Sequence, residues 1–152
     1  MAPATTAHLL KFAALGTALF GLALALAPHF GGQAAIDLFL DLAFLPLDSG
    51  QGSGAAETLL ALAISGGLMV GLGVLVWQVS SLVLPQDPRL ARRLLIPTLL
   101  AWYLPDSLGS YLSGALFNVV MNTGFLALFL IPLALMRVDQ DRAAQKGLPA
   151  RS

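Results

Sequence analysis

Residues 92–113 read RRLLIPTLLAWYLPDSLGSYLS, and whether they cross a membrane decides the architecture of the whole chain. From Leu94 to Leu104 the stretch carries no charge. At 1.5 Å per residue that covers only about 16 Å, against roughly 30 Å of bilayer hydrocarbon. To span, the helix must continue through Pro105, Asp106, Ser107, Gly109 and Ser110 to Ser113. Its start is better marked: Asp87 suits an N-cap, Pro88 suits the first helical position, and Arg89, Arg92 and Arg93 would lie among headgroups. The alternative is a re-entrant segment that enters and leaves on one side.

Charge placement decides between the two. Three other segments, 9–27, 57–83 and 115–136, are long and apolar enough to span. The chain has eight Lys and Arg residues: Lys11, Arg89, Arg92, Arg93, Arg137, Arg142, Lys146 and Arg151. With the N-terminus inside and four crossings, all of them fall on the cytoplasmic side. The loop over 28–56 has no Lys or Arg, and holds Asp37, Asp41 and Asp48, with Glu57 just beyond. This is the asymmetry of the positive-inside rule. Were 92–113 not to cross, the basic tail would lie outside. The sequence therefore predicts an all-α, polytopic membrane four-helix bundle with spans 9–27, 57–83, 88–113 and 115–136. These form a transmembrane domain over 9–136 with polar cytoplasmic tails at 1–8 and 137–152. Within the outer loop, Ile36 to Leu45 is apolar apart from Asp37 and Asp41, and is expected to lie as a helix along the interface. A rival reading takes the first segment as a signal peptide cleaved at Ala23-Leu24-Ala25; the length of the run and Pro28 after the next such triplet favour a retained helix.

Composition agrees. Of 152 residues 57% are hydrophobic and 11% charged, which a soluble domain of this size could not cover with polar surface. A formal net charge of zero gives no field for nucleic acid, and the absence of cysteine removes disulfides, thiolate nucleophiles and Cys-ligated metal centres. The expected partner is the lipid bilayer, with a second copy or a membrane-complex subunit as further possibilities.

Few residues could carry chemistry. Gly66, Gly67, Gly71 and Gly73 in the second span, including the GxxxG pair Gly67 and Gly71, are expected to serve close helix packing. Asp106 lies about 20 Å above Arg93 along a helix, and Asn122 about 22 Å from Arg137, so the two should share a depth in the outer half of the bilayer. The same count places Ser65 and Gly66 at that level. Trp102, Asp106, Ser110 and Ser113 form one stripe, Asn118 and Asn122 another, and polar groups in lipid should turn inward to meet. The plain reading is interhelical hydrogen bonding. The sharper one is a ligand site of Asp106, Asn118, Asn122, Trp102 and Ser65, with Glu57 at its mouth. No basic residue is placed to pair with Asp106, which points to a protonated carboxyl or a bound cationic group. His8 and His29 lack partners at metal-ligand spacing, and no Ser-His-Asp set or phosphate loop is evident. Catalysis is not expected, and no cofactor is implied.

The glycine-rich Gly66–Gly73 segment, the loop Pro85-Gln86-Asp87-Pro88-Arg89 with Arg92 and Arg93, the Trp102 to Ser110 stretch and the Asn118/Asn122 pair together resemble small bacterial membrane proteins of the DoxX-like, four-helix type. The resemblance covers a little over a third of the chain. It implies a four-helix bundle in a bacterial inner membrane but transfers no activity. The expected function is non-enzymatic: an accessory or assembly subunit, or a binder of lipid or a small apolar molecule. The alternatives are a proton-coupled small-solute carrier using Asp106 and a quinone-linked enzyme subunit.

Overall fold

A computed structural model describes residues 1–137; the polar tail expected beyond Arg137 lies outside the described residues. Among the described residues the chain is all-helical, with five α-helices: α1 Pro3–Leu26, α2 Gln33–Phe44, α3 Ala56–Gln78, α4 Pro88–Leu112 and α5 Leu116–Leu135. A 3₁₀ turn, Ala27–His29, prolongs α1, and a π-helical turn, Val79–Val83, prolongs α3. With these extensions α1, α3 and α5 are long and apolar enough to cross a membrane. At 25 residues α4 is the longest α-helix, yet its arginines at one end and its prolines, serines and Asp106 further on dilute it below that mark.

The helix ends follow from local chemistry. Pro3 occupies the first turn of α1, where its missing N–H costs nothing. The Thr6 hydroxyl and amide both reach Ala2 O, so the tail expected over 1–8 is instead helical from Pro3. Asp87 caps α4 by accepting from Leu90 N at 2.9 Å. The helix then runs unbroken through Pro97 and Pro105. It stops in a Schellman motif: Ala115 N donates to Ser110 O at 2.9 Å and Gly114 N to Tyr111 O at 3.1 Å, with Gly114 at φ +81°. That left-handed turn reverses the chain within three residues and lays α5 back along α4.

Contacts between the long helices give their directions. Gly21 meets Gly66 while Ala14 meets Gly73, so α1 and α3 are antiparallel. The Met1 ammonium donates to Leu135 O at 2.6 Å and Phe20 stacks on Phe125, so α1 and α5 are antiparallel too. Tyr103 pairs with Thr123 and Ser110 with Asn118, which makes α4 antiparallel to α5. Hence α1 and α4 run one way, α3 and α5 the other. The two ends of the described chain sit together, joined also by Arg137 N donating to Met1 O.

Glycine placement corrects one expectation. A Cβ on Gly66 would collide with Gly21 O, and one on Gly73 would come 2.6 Å from Ala14 O, whereas Gly67 and Gly71 face open space. Close approach therefore uses Gly66 and Gly73, seven residues apart and thus on one helix face, not the GxxxG pair.

Packing is uneven along the helices. At the end holding both termini, Leu10, Val76, Leu84, Leu95, Leu99, Phe129 and Leu133 form one core contributed by all four long helices. Toward the other end α3 leans mainly on α1 and scarcely touches α4, whose contact with the α3 side of the bundle runs chiefly through the π-helical turn. A small cluster of Leu24, Ile36 and Leu62 remains there, with Phe20, Phe39, Leu40 and Met69 against it. The helix α2 packs across this looser end. Its acids do not face outward: Asp37 Oδ1 accepts from both Ser53 N and Ser53 Oγ at 2.6 Å, and Asp41 Oδ2 accepts from Ser49 N at 3.1 Å. The glycine-rich connector is thereby stapled along α2.

Candidate functional site

Where α3 and α4 part, a cavity of about 720 Å³ opens, within the range of small-molecule sites. Its apolar walls are Phe20 and Leu24 of α1, Ala61, Leu62, Leu68 and Met69 of α3, and Met121 and Phe125 of α5. Phe39, Leu40, Ala43 and Phe44 of α2 close one side. Phe20 is central to this lining. Its ring lies edge-on to Phe39 at 5.4 Å and tilted against Phe125 at 5.7 Å, so three helices share one aromatic cluster.

The polar wall belongs almost wholly to the α4–α5 hairpin. Asp106 and Ser110 face the cavity from α4, Ser113 from the cap at its end, and Asn118 and Asn122 from α5. The Schellman reversal sets the register between them: Asn118 Nδ2 donates to Ser110 Oγ at 2.8 Å and reaches Asp106 Oδ1 at 3.4 Å. Ser110 Oγ also donates to Asp106 Oδ1, at 3.3 Å. Both bonds to the carboxyl are long beside the usual 2.7–2.9 Å of charge-assisted ones, and among the described residues none is made to Oδ2. A carboxylate offers about four lone-pair sites, so Asp106 keeps acceptor capacity toward the cavity. Its partners are an amide and a hydroxyl, both neutral.

The sequence-predicted residues are placed as follows. Asp106, Asn118, Asn122, Trp102 and Ser65 all line this one cavity. Asn122 is buried and its Nδ2 lies 3.5 Å from Ser107 Oγ, so it does not bond to Asp106. Glu57 is exposed and outside the lining, one helical turn beyond Ala61. Gly66, Gly67, Gly71 and Gly73 take no part in it. Sequence reasoning missed two members of the α4–α5 seam, Ser107 and the Tyr103–Thr123 pair at 3.0 Å. Their signal was available: Tyr103, Ser107 and Ser110 step by four and three along α4. It also missed the aromatic wall, because phenylalanines on apolar helices look alike until their neighbours are known.

The opposite end carries the described basic residues, among them Lys11, whose Nζ lies 5.7 Å from the Trp77 ring centroid. A second hollow of about 440 Å³ beside Trp77, between α1 and α3, is lined mainly by apolar groups.

No protein-family model, curated protein or solved structure matches the chain. The site must speak through its own chemistry.

Proposed function

We propose that the chain crosses a bacterial inner membrane four times, with both ends cytoplasmic, and that it binds a small, mostly apolar molecule without transforming it. Four crossings are favoured by helix direction. The helices α3 and α5 are parallel, so α4 must return the chain between them beside α5, whatever its hydropathy. That arrangement also collects the described Lys and Arg residues at one end and the acids of α2 and its connector at the other, as the positive-inside rule requires. The likeness to DoxX-like proteins belongs to this reading for architecture only.

The observation that carries the binding role is the cavity itself, with apolar walls and polar side chains gathered on one flank. Helix packing in lipid gains little from leaving such a space unfilled, since contacts across it are lost outright. Because α3 and α4 stay apart beside it, a membrane-dissolved molecule could enter sideways. Native mass spectrometry of the protein extracted from its membrane tests this: a retained small molecule is expected. A ligand-free protein that also fails to take up any apolar probe would end the proposal. A second reading, a proton-coupled carrier, draws on the exposure of Asp106 to the cavity. It requires pH-driven uptake in proteoliposomes that Asp106→Asn abolishes.

A further inference from the structure

We infer that the molecule taken by this cavity is a lipophilic cation, its positive centre against Asp106 and its apolar body against the aromatic cluster; this rests on the reading of the cavity as a ligand site.

Three observations converge. First, the Asp106 carboxyl faces the cavity with a free Oδ2 among the described residues and only long bonds to Oδ1. An ionised carboxyl in a low-dielectric site calls for a positive partner. The described Lys and Arg residues stand at the far end of the helices, so among the described residues none is brought to it. Second, the remaining walls suit a soft cation. Trp102, Phe20, Phe39 and Phe125 present rings to the same space, and the negative faces of such rings attract organic cations. Third, among the described residues no Lys, Arg or His lines the cavity, so an anionic group would meet a carboxyl and no counter-charge from them. A fatty acid or a phosphate-bearing molecule is therefore disfavoured, and a neutral hydrocarbon would leave Asp106 with only its two long bonds to neutral groups. The amides of Asn118 and Asn122 and the hydroxyl of Ser110 add adaptable polar contacts around the head.

The positive centre could belong to a free lipophilic amine or to the ammonium of a lipid headgroup. Tetraphenylphosphonium and tetraphenylborate, matched in size and opposite in charge, serve as probes. The full chain carrying Trp77→Phe, with Trp102 as sole indole, is placed in phosphatidylglycerol nanodiscs and titrated against empty discs. Saturable quenching of Trp102 by the cation and none by the anion is expected. Asp106→Asn should weaken cation binding about ten- to a hundredfold, the worth of one charge–charge attraction at an intermediate effective dielectric, while Asp106→Glu restores it. Ser65→Lys, which keeps Asp106 and adds a cation to the facing wall, should exclude the phosphonium even if Asp106→Asn fails to fold. Repeating the titration in phosphatidylethanolamine discs identifies the source. Competition there assigns the cation to a headgroup, and an unchanged affinity assigns it to a free amine. Equal binding of both ions, or full affinity in Asp106→Asn, overturns the cationic assignment and leaves an apolar ligand site standing. If neither ion nor neutral pyrene perturbs Trp102, the cavity is not a ligand site and both readings fall.

Discussion

Gly21 and Gly66 bring the backbones of α1 and α3 so close that a Cβ on either would strike the carbonyl oxygen of the other. Neither oxygen belongs to a side chain that could swing away, so the helices themselves would have to separate. Gly66→Ala and Gly73→Ala are expected to lower thermal stability in detergent or nanodiscs. Gly67→Ala and Gly71→Ala face open space and should stabilise slightly, by about 0.5–1 kcal/mol, through helix propensity alone. The opposite ranking in a melting series would show that the α1–α3 contact is misassigned.

The α4–α5 hairpin should depend on its polar seam. Asn118→Leu removes the donor shared by Ser110 and Asp106 and should cost about 1 kcal/mol, the ordinary worth of a hydrogen bond between helices in a membrane. Steric-trap unfolding in bicelles measures this directly. A stabilised variant would mean that the seam is strained rather than cohesive.

Acid should loosen the connector between α2 and α3 before the helices. The hydroxyl of Ser53, and then its amide, hold the Asp37 carboxyl below its ordinary value by bonding its charged form. A group lowered on folding stabilises the fold above its unfolded pKa. That stabilisation fades as pH drops below the ordinary Asp range and is gone once pH passes the folded pKa. Protection of Ser53 N, the slowing of its exchange relative to an unstructured amide at the same pH, should therefore be high at neutral pH and fall on acidification, and Asp37→Asn should make it low throughout. Protection independent of pH in the native chain would remove the staple from the account.

Topology is directly accessible because the chain contains no cysteine. Gln51→Cys, in the exposed connector, should react with a membrane-impermeant maleimide on intact cells. Gln86→Cys, in the exposed α3–α4 turn, should react only after permeabilisation. Labelling of both from outside would break the four-crossing proposal.

The structure also shows which features were legible before it. Helical class, three apolar spans and the Asp87 cap are local matters of composition and spacing, readable because hydrophobic runs and capping side chains act within a few residues. The expectation that polar stripes on the third and fourth spans turn toward each other rested on the cost of polar groups in lipid, and Asn118 and Ser110 are found in contact. The choice of glycine was not legible. Gly66 and Gly67 are adjacent and chemically identical, and only the direction from which α1 arrives makes one indispensable and the other idle. Likewise, nothing in the order of residues announced that α3 and α4 part beside Asp106, or that Phe39 of α2 would help wall the gap. Local sequence determined which segments are helices and which side chains lipid would reject. Tertiary structure alone decided which faces meet and which stay apart, because a cavity is the sum of contacts not made between segments distant along the chain.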